Sequence, residues 1–250
     1  MNVPRLIAHR GYPQSYPENT LPSLEAALRL GASSVEFDVQ LSGDAVPMVI
    51  HDETLDRTTD AHGPVAEHLA SALAGVDAGE PARLGARFRA TALPTLAAVV
   101  ELLSDWPGTT VFVELKRASL ERFGVSQVLG RVQAALAPIA RRCVIISFEA
   151  AAVAAARAAG LSCGWVFEQW TDTSRRQARA LAPDYLFTDY RCVAGTLWPG
   201  RWQWALYDIV DPQLALDWAG RGAGFIETWA VGEMLEHPVL GRGARYGSRL

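Results

Sequence analysis

Short runs rich in β-branched and aromatic residues alternate with alanine- and leucine-rich stretches from one end of the chain to the other. Strands are expected at Leu6–His9, Ser34–Gln40, Thr110–Lys116, Cys143–Ser147, Ser162–Phe167, Asp184–Thr188, Gln203–Leu206 and Gly224–Thr228. Helices are expected between them at Leu21–Arg29, Leu96–Leu103, Gly124–Leu136, Glu149–Ala159, Arg175–Leu181 and Pro212–Ala219. Alternation of this kind means parallel strands joined by helical crossovers. Eight such units in 250 residues match the size of a (β/α)8 TIM barrel, an α/β fold. A doubly wound open sheet is the runner-up; it would usually carry a glycine-rich turn after the first strand, and none follows here.

Local signals set the boundaries. Thr20 is placed to cap a helix that opens Leu21-Pro22, and Gly31 and Gly160 close two helices. Ser42-Gly43-Asp44 reads as a tight turn, after which Val46–His51 returns as a strand, so the second unit carries a β-hairpin. About 40 residues, 53–92, then break the alternation. An insert of that length is either a functional cover or a surface decoration. The chain is expected to be a single domain over 1–250. Its glycine- and arginine-rich tail, Gly241–Leu250, is expected to fray.

Composition excludes several classes. Net charge is −4, which disfavours a general nucleic-acid binder but allows a local cationic pocket. No apolar run reaches the roughly 18 residues of a membrane span. Met1-Asn2-Val3-Pro4-Arg5 opens no signal-peptide pattern, so a cytoplasmic location is expected. Cys143, Cys163 and Cys192 are odd in number and widely spaced, which fits free thiols better than a disulfide frame.

The chemistry lies on the strands. Successive side chains of a strand point to opposite faces. In Ser34–Gln40, Val35, Phe37 and Val39 share the face that packs under helices, and Glu36 and Asp38 share the barrel interior. Two carboxylates there repel and lose hydration unless a cation lies between them; the alternative is a solvated pair at the strand mouth. An all-oxygen ligand set favours Mg2+ or Ca2+. The third strand repeats the device, with Glu114 as a further ligand and Lys116 one step nearer the mouth, or else with the two as a simple ion pair.

Lys116 is the only lysine beside 22 arginines. A GC-rich genome explains the arginines, and the position that stayed lysine is then a candidate for a compact ammonium. His9-Arg10-Gly11 ends the first strand and His51-Asp52 ends the hairpin, which puts two imidazoles at the expected mouth. His62, His68 and His237 read as surface residues. Two imidazoles supply an acid–base pair tunable near neutral pH. A cation and two basic side chains suit a substrate with spread negative charge, phosphate above all.

With these residues the chain resembles the glycerophosphodiester phosphodiesterase family. The matching motifs are AHRG at 8–11, PENT at 17–20, EFDVQLS at 36–42, VIHDETLDRTT at 49–59, LPTL at 93–96 and VELK at 113–116, dense over residues 5–120. The resemblance implies a (β/α)8 barrel and an insertion corresponding to 53–92. It implies His9 and His51 as general acid and base, and Glu36, Asp38 and Glu114 as ligands of a divalent metal. Arg10 and Lys116 would hold the phosphate, with Glu18 and Asn19 beside the metal and the catalytic loop. The implied reaction is hydrolysis of a small-molecule glycerophosphodiester to sn-glycerol 3-phosphate and an alcohol, through attack by the glycerol hydroxyl and a cyclic phosphate.

The second half departs from the family's pattern. Trp204-Ala205-Leu206 stands where a tryptophan–threonine–valine–asparagine run is common. Gly224-Phe225-Ile226 is followed by Glu227-Thr228 rather than threonine–aspartate. Trp170, Trp204 and Trp229 fall near strand ends, as an aromatic wall for a larger headgroup or as ordinary packing. A lysophospholipase D-like activity is the second reading, and a non-catalytic phospho-ligand binding module the third.

Overall fold

The computed structural model describes residues 2–241; the part of the expected fraying tail from 242 on lies outside the described residues. The first half runs β1 (Arg5–Ala8), α1 (Leu21–Arg29), β2 (Ser34–Leu41), β3 (Pro47–Val49), α2 (Ala70–Leu73), α3 (Pro81–Leu84), α4 (Leu96–Ser104) and β4 (Thr110–Leu115). The second half runs α5 (Arg117–Phe123), α6 (Val125–Leu136), β5 (Cys143–Ser147), α7 (Ala150–Ala158), β6 (Cys163–Val166), α8 (Asp172–Leu181), β7 (Tyr185–Asp189), β8 (Gln203–Tyr207), α9 (Pro212–Gly220), β9 (Phe225–Thr228) and α10 (Val231–Glu236).

Eight strands pair in parallel in the order β1-β9-β8-β7-β6-β5-β4-β2, and a β1–β2 bridge at Ala8 and Val35 closes the ring. This is the expected (β/α)8 barrel. β3 lies antiparallel to β2 with Val39 opposite Val49, so the hairpin is an appendage of the second unit. Side-chain caps start the helices where the sequence supplies them. Thr20, Thr95, Thr171 and Asp211 accept from backbone N–H groups of α1, α4, α8 and α9.

Alternation along the strands builds two cores. Val35, Phe37 and Val39 face outward and pack with Leu24, Leu28, Val99 and Leu103 under the helices. Ile7, Phe112, Val144, Ile146, Val166, Phe187, Ala205 and Phe225 fill the barrel interior. Phe112 meets Phe187 and Phe225 edge-on at centroid distances of 5.4 and 6.0 Å. Truncating a buried phenylalanine of this kind costs about 3–5 kcal/mol. The plug closes the lower barrel and leaves the C-terminal mouth to polar groups.

Two element boundaries change, and the two readings of the tryptophans resolve to ordinary packing for Trp170 and Trp204. Trp204 points out of the barrel and is buried against Trp198, which also stacks 4.1 Å from Trp170. These two tryptophans therefore pack between barrel and helices and build no wall in the mouth, while Trp229 is exposed after β9. β4 stops at Leu115, because α5 begins at Arg117. Lys116 keeps an extended backbone at that junction, so its side chain continues the strand's alternation. α8 starts at Asp172, three residues before the expected Arg175, where Thr171 caps it. Among the described residues no helix is long and apolar enough to cross a membrane.

Candidate active site

The first turn after β1 shapes the mouth. Gly11 has φ +87°, and a Cβ there would meet Ser23 Oγ at 2.5 Å, so only glycine fits. Arg10 (φ 54°) and Asn19 (φ 57°) also occupy the left-handed region, a costly conformation that clusters at functional sites. The turn lets the Arg10 N–H donate to Glu36 Oε2 at 3.1 Å. It also sets Arg10 Nε 3.2 Å from Asp38 Oδ2 while Nη1 donates to Glu18 Oε1 at 2.9 Å.

Glu36, Asp38 and Glu114 are buried, and carboxylate oxygens of the three lie within 4.8 Å of one another. Lys116 Nζ lies 2.6 Å from Glu114 Oε1 and 3.2 Å from Asp38 Oδ1, so it serves two carboxylates rather than one. Burial raises Asp38, but Lys116 and Arg10 outweigh it and hold that carboxyl well below the usual range. Glu36 is pushed well above its range by burial, then by Asp38 and Glu227. Burial also lifts Glu114, to about 7, against the pull of Lys116. Glu36 Oε1 has no hydrogen-bond partner, and Asp38 Oδ1 has only the Lys116 ammonium beside it. Converging buried carboxylates with orphaned oxygens fit a hard divalent cation, and an ion there would replace the protons that burial otherwise favours.

The two imidazoles flank this cluster. His9 Nε2 lies 3.9 Å from Glu36 Oε2. Burial and then Arg10 pull His9 down to about 3, so the ring is neutral at neutral pH. His51 Nδ1 lies 2.6 Å from Asp52 Oδ1. Asp52 is brought to about 2 because hydrogen bonds from Arg57 and His51 outweigh burial. It is therefore the acceptor, which leaves Nε2 of a neutral His51 free to accept a proton. Burial lowers His51 as well. His62 is solvent-exposed, as expected.

Arg57, from the insert, donates to Asp52 and to both oxygens of Glu18. Glu18 in turn holds Arg10, so the sequence's PENT motif works on the site through the arginine. Nearby, Glu80 Oε1 accepts from the Glu18 N–H, and Arg83 donates to the carbonyls of Pro13 and Tyr16. These contacts lay residues 53–92 against the loop that follows β1.

Sequence reasoning missed Glu227 as a site residue. It is 5 % exposed on the inward face of β9, two residues after Phe225, and groups with His9 and Glu36 within 4.8 Å. An acid alternating with an aromatic in a short apolar strand was the available signal. Arg57 was equally legible only as part of a motif, because its partners lie far off in sequence.

A closed parallel barrel with its charged groups gathered at the C-terminal mouth is the build of barrel enzymes. The family model described as "Glycerophosphoryl diester phosphodiesterase family" matches residues 9–193, and the chain belongs to that family. A glycerophosphodiester phosphodiesterase of Caldanaerobacter subterraneus is 39% identical over 124 residues, 50% of each chain. Human glycerophosphodiester phosphodiesterase 1 is 36% identical over 111 residues, 44% of this chain and 33% of that one. The chain spans about half the length, or less, of such curated relatives. Among solved structures, an Oleispira antarctica phosphodiesterase in complex with the product sn-glycerol-3-phosphate superposes with TM-score 0.81, at 24% identity, over 98% of this chain and 97% of that one. An Agrobacterium tumefaciens glycerophosphodiester phosphodiesterase gives TM-score 0.73 at 24% identity, over 92% of this chain and 98% of that one. These structures agree with the fold.

Proposed function

We propose that the chain hydrolyses small-molecule glycerophosphodiesters to sn-glycerol 3-phosphate and an alcohol, as one catalytic barrel domain. The observation that carries this reading is the meeting, in one mouth, of a three-carboxylate cluster, two cations and two imidazoles. Glu36, Asp38 and Glu114 would hold Mg2+ or Ca2+, which supplies positive charge to a phosphate oxygen as charge builds there. Arg10 and Lys116 orient the phosphate from either side of Asp38. Glu18 and Asn19 hold Arg10 and Asp38 in place. His9 and His51 supply the acid and base. One, as the neutral imidazole, takes the proton from the glycerol 2-hydroxyl as its oxygen attacks phosphorus, and the other, protonated to the imidazolium in the complex with the anionic substrate, gives that proton to the departing alcohol oxygen. Water then opens the cyclic phosphate with the same groups in reversed roles. Residues 53–92 cap the mouth in this reading, supported by the Arg57, Glu80 and Arg83 contacts.

The test is a panel of glycerophosphodiesters assayed with chelator and then with Mg2+ or Ca2+ restored. Glycerol 3-phosphate should appear only in the restored samples. Turnover in excess chelator would overturn the metal assignment, and no turnover of any diester would overturn the activity. Lysophosphatidylcholine turned over faster than glycerophosphocholine would favour a lysophospholipase D-like enzyme.

A further inference from the structure

β9 contributes a carboxylate that the reaction above does not use. Glu227 rises from the aromatic plug on the same face as Phe225, and its Oε1 is buried without a hydrogen-bond partner. Burial raises its carboxyl well above the usual range, with Glu114 and Asp38 adding to the effect. Ligand-type atoms of His9, Glu36 and Glu227 lie within 4.8 Å of one another, as those of Glu36, Asp38 and Glu114 do. Glu36 belongs to both groups. Among the described residues no such group joins Glu227 to Asp38 or Glu114. In this arrangement Glu227 groups with His9 and Glu36 on one side of the shared carboxylate, and Asp38 and Glu114 group with it on the other.

We propose that the mouth contains a second divalent-cation site, formed by the His9 imidazole, Glu36 and Glu227, with Glu36 shared between the two ions. Its ligands are one nitrogen and carboxylate oxygens. That mixed set suits a borderline ion such as Zn2+, whereas the all-oxygen set beside it suits Mg2+ or Ca2+; Mn2+ accepts carboxylate ligands in either and so reports on both. Glu36 and Glu227 each carry a buried carboxylate oxygen, Oε1, that has no hydrogen-bond partner. Both residues are at least nine-tenths buried, so water does little to satisfy them. A cation resolves that cost in a way a second proton would not, because it takes oxygens from both side chains at once.

The site rests on the reading in which His9 moves a proton. An ion bound at His9 occupies the lone pair that would accept that proton. Filling the second site should therefore lower the activity of the Mg2+-loaded chain.

Equilibrium Mn2+ binding, followed by the electron paramagnetic resonance of the free ion, tests the proposal. Wild type should bind two Mn2+ per chain, and Glu227→Gln and His9→Gln one each. Circular dichroism melts confirm that both variants fold. Asp38→Asn should also bind one, through the second site alone. Two ions bound by Glu227→Gln, or one by wild type, would overturn the second site. An unchanged count in Asp38→Asn would instead overturn the first-site assignment, so the two failures are told apart. Activity of the Mg2+-loaded wild type should fall as the second equivalent binds; constant activity would remove His9 from the ligand set.

Discussion

Asn19 and Asp38 exchange two hydrogen bonds: Asn19 Nδ2 donates to Asp38 Oδ2 at 2.8 Å, and the Asp38 N–H donates to Asn19 Oδ1 at 3.2 Å. Both residues are buried. The exchange fixes the carboxylate's rotation and leaves Oδ1 for Lys116 and the proposed cation. Asparagine can also tolerate the left-handed backbone that brings it there.

Asn19→Ala and Asn19→Gly separate these two tasks. Each deletes the hydrogen bonds, so each should weaken metal binding and lose about 1–3 kcal/mol of stability. Only alanine adds the strain of a Cβ at φ 57°, about 1 kcal/mol more. Denaturant melts should therefore rank glycine above alanine, with metal affinity equal. Equal stability of the two variants would show that the backbone strain is relieved elsewhere.

The histidines are tested against a surface control. A general acid or base contributes about 10²- to 10⁴-fold. His9→Ala and His51→Ala should each lose kcat on that scale while their melts stay close to wild type. His62, 83 % exposed, should be dispensable. Similar losses at all three positions would point to misfolding instead.

The barrel was legible because its signals are local. Strand faces follow from a period of two, so Val35, Phe37 and Val39 separate from Glu36 and Asp38 without any knowledge of neighbours. The helices missed at Arg117–Phe123 and Val231–Glu236 are short, and the first follows a strand without a break. What the sequence hides is pairing across the ring. Glu227 reaches His9 and Glu36 only because β9 closes onto β1, with Ile7 opposite Glu227. The sequence leaves Trp204 open between mouth and packing, and Ala205 on the inward face decides for packing.

Acid should weaken the network behind His51. Asp52 sits at about 2 in the fold against 3.8 in a free side chain, so folding favours its charged form. Its contribution is present above its unfolded value and is lost as pH falls through the folded one. Asp52→Asn removes that contribution at every pH. The melting temperature gap between wild type and Asp52→Asn should be full near pH 5 and shrink toward pH 2, over roughly the window that such a shift defines. A gap that widens in acid would mean Asp52 is not held charged by Arg57 and His51.

Lys116 gives the sharpest test of the phosphate seat. Its ammonium fits between Glu114 and Asp38 in a position only 13 % exposed, with the Phe148 ring centroid 6.0 Å away. If the charge alone mattered, arginine would serve, as it does at every other basic position of the chain. A guanidinium is a broad planar fork, and placed here it must displace Asp38 or Glu114 or intrude on the proposed phosphate seat. Lys116→Arg should therefore lose on the order of tenfold or more in kcat/KM, about 1.4 kcal/mol of transition-state stabilisation, with little change in stability. The control is Arg117→Lys. Arg117 opens α5 rather than extending the strand, and its exposed side chain pairs with Glu149 at 2.5 Å on the surface. Such pairs contribute at most about 1 kcal/mol, so this change should be nearly silent. Wild-type kinetics for Lys116→Arg would reduce the single lysine to an accident of codon usage.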